Sequence, residues 1–197
     1  MKEIEVVGIV KNWNEVEAKM RENAAKFKGK YLVRDYCYDF PDGSLWTQQK
    51  KTLRLRSENK KVVFTYKGPS AESDGGHRLR EELSIAIDIE QLEVLKQILK
   101  ALGLQIIFRL DRIRYMYELA GAIIYLEKYP QMYDLIEIEG EDSSINRVIS
   151  LLNLNSEDLT NHMPSYFFGL YEKDIGKKSR EVFNEEEVKL FFQNLKE

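Results

Sequence analysis

The sequence has few of the residues that cross-link a chain or bind soft metals. It contains one cysteine, Cys37, and two histidines among 197 residues. A single thiol excludes an intramolecular disulfide and a cysteine-based metal site. No apolar run reaches the about 20 residues of a membrane helix, and Met1 is followed by charged residues rather than by a signal or transit peptide. We therefore expect a cytoplasmic protein with no membrane partner.

The chain also lacks an excess of positive charge. Its 30 lysines and arginines face 33 aspartates and glutamates, which leaves a net charge of −3. Such a chain generates no overall field that attracts nucleic acid, so we expect no nucleic-acid partner. Any site for a polyanion must be a local concentration of basic side chains.

Two short segments show where charge is concentrated. Arg112-Ile113-Arg114 and Glu137-Ile138-Glu139 each place two like charges around one isoleucine. Side chains alternate between the two faces of a strand, so each trio directs both charges to one side. Like charges in that arrangement repel unless an opposite charge lies between them. We interpret the arginines as a polyphosphate site and the glutamates as a metal site.

The alternation of apolar and polar residues predicts about eight strands. Short turns join most of them, which implies antiparallel pairing, and eight strands can close into a barrel around a small ligand. The predicted fold is therefore α+β: a closed eight-stranded antiparallel barrel with a polar interior and helices outside. The strands are predicted near 2–10, 30–40, 53–56, 62–67, 77–88, 104–119, 122–128 and 133–141. The helices are predicted at 14–27, 90–102, 144–153, 156–172 and from about 184.

Basic and acidic side chains are sorted by strand. The basic sets are Arg54/Arg56, Lys67, Arg78/Arg80 and Arg112/Arg114, whereas Glu3/Glu5 and Glu137/Glu139 lie at the two ends of the strand order. For any single strand, the alternative is an ordinary sheet with one solvated face. If the barrel closes between its first and last strands, the four glutamates meet, and a ligand set made only of oxygen favours Mg²⁺ or Mn²⁺.

The order of these motifs resembles the CYTH superfamily, also called triphosphate tunnel metalloenzymes, over roughly residues 2–171. This family includes class IV adenylyl cyclases of the CyaB type, thiamine triphosphatases and inorganic triphosphatases. The similar segments are Glu3-Ile4-Glu5, Asp35 to Asp39, Leu53-Arg54-Leu55-Arg56, Thr65-Tyr66-Lys67-Gly68-Pro69, Arg80-Glu81-Glu82, Arg112-Ile113-Arg114 with Tyr117, Glu137-Ile138-Glu139 and Ser165-Tyr166.

The resemblance implies a role for each matching residue. The metal ligands would be Glu3, Glu5, Glu137 and Glu139, together with Glu127 where the family usually has an aspartate near the metal. The triphosphate would be held by Arg54, Arg56, Lys67, Arg80, Arg112 and Arg114, with Glu5 and Arg114 as the catalytic residues. Residues 1–172 would form the CYTH domain, and residues 173–197 a charged linker with an amphipathic helix.

Three functions stay open at this point. The first is a metal-dependent enzyme that resembles class IV adenylyl cyclases and converts ATP to cyclic AMP and pyrophosphate, or else hydrolyses inorganic, thiamine or nucleoside triphosphate. The second is a protein that binds triphosphate or polyphosphate without turnover, because Val7 replaces the lysine that closes the family's first motif. The third is a scaffold whose charged faces are solvated.

Other residues are expected to have structural roles. We expect His77, His162 and Lys51 to be solvated and Cys37 to be an ordinary strand residue. The final helix is expected to pack on its own barrel, with a homodimer contact as the alternative.

Overall fold

A computed structural model of the protein describes residues 2–59 and 61–193. The described chain forms ten strands: β1 (Lys2–Ile9), β2 (Lys26–Asp39), β3 (Thr52–Glu58), β4 (Lys61–Lys67), β5 (Ala71–Glu72), β6 (Arg78–Ile87), β7 (Gln105–Leu119), β8 (Ala122–Lys128), β9 (Leu135–Glu139) and β10 (Leu159–Thr160). Six α-helices accompany them: α1 (Trp13–Glu22), α2 (Ser44–Thr47), α3 (Leu92–Ala101), α4 (Asp142–Leu151), α5 (Pro164–Ile175) and α6 (Glu185–Gln193). None of the described helices has the length and apolar character needed to cross a bilayer.

Eight of the strands close into an antiparallel barrel. They follow the order β1-β9-β8-β7-β2-β3-β4-β6, and β6 pairs with β1 to complete the ring. The two-residue strands β5 and β10 add to β6 and β1. The predicted closed barrel with helices outside is confirmed, and the first and last strands meet as expected: Glu5 lies opposite Glu139.

Two helix predictions were wrong in their boundaries. The helix expected over 14–27 ends at Glu22, because the chain reverses at Ala24, which has a positive φ of 56°, and enters β2. The helix expected over 156–172 begins only at Pro164. A short 3₁₀ turn at Ser156–Asp158 and the pairing of β10 with β1 precede it.

Helices cover the outer face of the barrel on two sides. On one side α1 and α4 pack on strands β1, β8 and β9, and this cluster includes Val6, Ile136, Ile138, Ile145 and Val148. On the other side, Leu99 of α3 belongs to a cluster with Leu55 of β3 and Val62 of β4. The aliphatic faces of the strands therefore form the hydrophobic core outside the barrel.

One end of the barrel interior is apolar. Val7 follows Glu3 and Glu5 on the inner face of β1, yet it is 1% exposed in a cluster with Leu135 of β9 and Phe167 of α5. The polar character expected of the interior is therefore confined to the rest of the barrel.

The C-terminal segment packs along the outside of β2 and β7. The Asp111 amide donates to the Glu181 carbonyl (2.7 Å), and the Phe183 amide donates to the Asp111 carboxylate (3.2 Å). In α6, Phe191 is buried and its ring lies 5.2 Å from Lys30 Nζ. The final helix thus contacts the barrel of its own chain.

Candidate functional site

The inner faces of the strands enclose a cavity of about 410 Å³. All the predicted triphosphate-binding residues line it, and so do all the predicted metal ligands except Glu127. Eight basic side chains line the cavity: Lys51, Arg54, Arg56, Lys67, Arg78, Arg80, Arg112 and Arg114. Eight acidic side chains do so as well: Glu3, Glu5, Asp35, Asp39, Glu58, Glu82, Glu137 and Glu139.

Asp35 is the acidic centre of one group of arginines. Arg56 donates to its carboxylate through two nitrogens, at 2.7 and 2.9 Å, and Arg112 donates through Nη1 at 2.9 Å. Burial raises the pKa of Asp35, but the charges of Arg56, Arg112 and Arg54 outweigh it and hold the pKa well below its ordinary value. Asp35 was part of a recognised motif, but the sequence predicted no role for it.

Glu127 is the acidic centre of a second group. Its Oε1 atom accepts hydrogen bonds from Arg112 Nε and Arg114 Nε, both at 2.6 Å, and Oε2 accepts one from the Tyr129 hydroxyl. Burial opposes ionisation of this carboxyl, yet the two guanidinium charges lower its pKa to about 2. Glu127 is 1% exposed and holds the arginines from behind the cavity wall. The metal role expected of Glu127 stays a prediction.

Two cavity arginines carry buried N–H groups that lack a hydrogen-bond partner among the described residues. These are Nε of Arg54, and Nε and Nη1 of Arg78. Arg54 Nε lies 4.0 Å from Asp35 Oδ1, too far for a hydrogen bond, whereas Arg78 binds Glu5 through Nη2 at 2.6 Å. A buried donor without a partner is costly, so these groups favour an anionic ligand. The predicted binding set lacked Arg78, although the same-sign pairing with Arg80 had singled it out.

The glutamates of β1 and β9 lie close together and repel each other. Burial, and then the charge of Glu5, raise the pKa of Glu3 to about 7; burial and the charge of Glu137 do the same for Glu139. The pKa of Glu137 is raised by burial and by Glu5. A bound cation would relieve this repulsion.

The carboxylates suit a hard divalent ion by donor type. Glu3 is paired with Lys67, and Glu5 with Arg78. Within 2–59 and 61–193, no three or more histidine, cysteine, aspartate or glutamate side chains are grouped as a ready-made metal site. Mg²⁺ or Mn²⁺ bound by Glu3, Glu5, Glu137 and Glu139 would therefore require Glu3 and Glu5 to exchange Lys67 and Arg78 for the metal.

Of the predicted catalytic pair, Arg114 is the more constrained. Its guanidinium carbon lies 3.9 Å from the centre of the Tyr125 ring, and its Nη2 atom lies 3.4 Å from the Glu137 carboxylate. Arg114, the Tyr125 ring and Glu137 are therefore adjacent on the cavity wall. The catalytic roles of Glu5 and Arg114 stay predictions.

Four residues that were expected to have no role are placed as follows. Lys51 lines the cavity but is partly exposed, with its Nζ atom donating to Gln49 Oε1 at 2.9 Å, so it lies where the cavity meets the surface. His77 is 7% exposed, with Nδ1 2.6 Å from the Asp142 carboxylate, so it is not solvated. His162 is exposed and stacks on Tyr166, as expected of a surface residue. Cys37 lines the cavity, and burial raises its thiol pKa to about 11, which disfavours the reactive thiolate.

Comparison with known proteins decides the family. The family model described as the CYTH domain matches residues 1–162. The chain belongs to the CYTH family. A CYTH relative from Methanocaldococcus jannaschii, named "putative adenylate cyclase", is 24% identical over 169 residues, which cover 81% of this chain and 94% of the relative.

Solved structures share the CYTH fold. A "putative adenylate cyclase" from Vibrio parahaemolyticus superposes with a TM-score of 0.69 at 17% identity, over 85% of this chain and 97% of that one. A Hippeastrum protein, described as a putative adenylyl cyclase with a dominant triphosphatase activity, gives a TM-score of 0.57 at 18% identity, over 77% and 84%. At these identities the likeness establishes the fold.

Proposed function

We propose that this CYTH protein is a metal-dependent enzyme that acts on a triphosphate. The observation that carries the proposal is the set of buried arginine N–H groups beside the cavity, on Arg54 and Arg78, that lack partners among the described residues. A guanidinium group can donate two parallel hydrogen bonds to two oxygens of one phosphate. Six further basic side chains line the same cavity, where eight acidic side chains balance the total charge, so we expect a metal cation to accompany the triphosphate.

The basic and the acidic residues have different roles in this proposal. Arginine and lysine side chains bind and orient the phosphate chain, while Asp35 and Glu127 hold those arginines in place. Glu3, Glu5, Glu137 and Glu139 would hold Mg²⁺ or Mn²⁺. When bound, that ion supplies charge neutralisation and Lewis-acid activation of the phosphate group.

The reaction we propose first is the conversion of ATP to cyclic AMP and pyrophosphate. In it, the ribose 3′-oxygen bonds to the α-phosphorus, and the bond from the α-phosphorus to the oxygen that bridges to the β-phosphate breaks. Pyrophosphate leaves with that oxygen, and the 3′-hydroxyl proton passes to solvent. The name of the Methanocaldococcus relative supports this choice. Hydrolysis of a triphosphate is the second candidate, supported by the activity described for the Hippeastrum neighbour.

A product assay separates the two reactions. The purified protein is incubated with Mg²⁺ or Mn²⁺ and ATP, inorganic triphosphate or thiamine triphosphate, and the products are resolved by chromatography. We expect cyclic AMP and pyrophosphate from ATP, with loss of both when a chelator removes the metal. ADP with phosphate would identify a hydrolase instead, and an absence of product from all three compounds would contradict the enzymatic proposal.

Val7 provides a test of the remaining candidate, binding without turnover. It lies opposite Glu137 on the neighbouring strand and is 1% exposed at the apolar end of the barrel. A lysine at this position would have to extend out of the apolar cluster toward Glu137 to bring its cation to the phosphates. We expect Val7→Lys to raise turnover about tenfold, equivalent to about 1.4 kcal/mol of barrier, whereas Val7→Met, which adds length without charge, leaves it unchanged.

The Val7→Lys result is interpreted by comparison with binding and turnover of the natural protein. If it binds triphosphate in calorimetry but turns nothing over, and Val7→Lys restores turnover, the chain is a binding protein that has lost a catalytic lysine. Equal turnover in Val7→Lys and the natural protein would show that residue 7 does not limit the reaction.

A further inference from the structure

The cavity opens between α2 and the start of β7. Among its described lining residues, Trp46 and Ile107 are the most exposed, at 40% and 46%. Met163, which precedes α5, and Phe108 also line the cavity. The two most exposed lining side chains are therefore apolar, and Lys51, whose amide donates to the Leu45 carbonyl of α2, is partly exposed on the same wall.

Most of the charge lies deeper than these apolar side chains. Along the inner side of β7, Ile107, Phe108 and Leu110 come first, and Arg112 and Arg114 follow. A strand rises about 3.3 Å per residue, so Arg112 lies roughly 13 Å beyond Phe108. A ligand whose phosphates reach these arginines would place a group attached to them among apolar side chains, an environment that inorganic triphosphate cannot use.

Trp46 is held at the opening by Asp39. The Asp39 carboxylate is 1% exposed and accepts three backbone hydrogen bonds: Oδ1 from Phe40 (2.7 Å) and Leu45 (2.9 Å), and Oδ2 from Trp46 (2.9 Å). Leu45 is itself buried. Asp39 therefore fixes the backbone of α2, and with it the base of the Trp46 side chain.

We propose that Trp46, positioned by Asp39, selects triphosphates that carry an aromatic group, such as nucleoside triphosphates, over inorganic triphosphate. The inference rests on the proposed function and names the substrate class of that site. Trp46 offers a flat ring for stacking where the ligand leaves the charged interior. Asp39 is a positioning residue, because its carboxylate is occupied by the backbone of α2.

The experiment measures binding of ATP and of inorganic triphosphate separately, by calorimetry with Mn²⁺. We expect Trp46→Ala to weaken ATP binding on the order of 10- to 100-fold, as for the loss of a base-stacking ring, and to change inorganic triphosphate binding by less than about twofold. Retained binding of inorganic triphosphate also shows that the variant is folded. Phe40→Ala is the matched control, because Phe40 is an exposed aromatic residue on the same segment that does not line the cavity.

A double-mutant cycle tests the positioning role. Asp39→Asn should weaken ATP binding selectively, and adding it to Trp46→Ala should bring little further loss, because Asp39 acts through Trp46. Additive losses would overturn that role.

The outcomes distinguish this inference from the proposed function. If Trp46→Ala weakens both ligands equally, leaves ATP binding unchanged, or is matched by Phe40→Ala, the selection by Trp46 is overturned and the triphosphate site stands. If the natural protein binds neither ligand, the proposed function is overturned and this inference with it.

Discussion

Glu127→Ala is expected to lower the free energy of unfolding by about 3–5 kcal/mol, the range for removing one partner of a buried ion pair. The carboxylate of Glu127 accepts from both Arg112 and Arg114, which are 2% and 3% exposed. Without it, Arg114 keeps Glu137 at 3.4 Å, Glu58 at 3.9 Å and the Tyr125 ring, and Arg112 keeps Asp35, so two buried cations lose the carboxylate that they share. Urea denaturation of the variant and the natural protein measures the difference.

Glu118→Ala is the matched control for this loss. Glu118 pairs with Lys28 at 3.1 Å, but both side chains are more than 40% exposed, so its removal should cost at most about 1 kcal/mol. A similarly small cost for Glu127→Ala would contradict its anchoring role. A second substitution at this position, Glu127→Gln, tests the metal role predicted from the sequence: it should leave stabilisation by Mn²⁺ unchanged if Glu127 only holds the arginines.

Arg54→Ala is expected to weaken triphosphate binding on the order of 10- to 100-fold, since one hydrogen bond to a charged group contributes about 1.5–3 kcal/mol. The Arg54 Nε group is buried without a described partner, and burial, then the charge of Arg56, lower the pKa of Arg54. The charge of this arginine is therefore unfavourable in the empty site, and a bound anion would stabilise it. The thermal midpoint without ligand should stay equal or rise, while the increase caused by added triphosphate largely disappears.

Arg34 provides the control for Arg54. Its Nε group is also buried without a described partner, but its side chain faces the outside of the barrel, 3.8 Å from Asp111. Arg34→Ala should leave triphosphate binding unchanged. If both variants weaken binding equally, or if Arg54→Ala lowers stability without affecting binding, the unpaired N–H group of Arg54 is not a ligand contact.

The barrel and its inward charges could be predicted because strand geometry is strictly periodic. A period of two determines that Arg112 and Arg114 share a face, whichever residues lie beside them. The same rule places Glu137 and Glu139 together. Inward charges leave the aliphatic side chains on the outer face, and the predicted helices were the elements available to cover that face.

The partners of these charges could not be predicted, because they depend on register and on where strands end. Glu127 and Glu137 look equivalent in the sequence, yet one is enclosed by two arginines and the other lines the cavity. Asp35 and Asp39 share the inner face of β2, but β2 ends at Asp39, whose carboxylate turns to the backbone of α2. The long-range contacts that separate such pairs carry no local signal.

Enclosing the ion pairs has a consequence for how the protein responds to ionic strength. Dissolved ions screen exposed charges over about 8 Å at physiological concentration, but they screen buried pairs much less. The ion pairs of Asp35 and Glu127 with their arginines should therefore persist at high salt concentration. The surface carries the small negative excess of the chain, so added salt would mainly reduce the repulsion that an approaching anion meets before it enters.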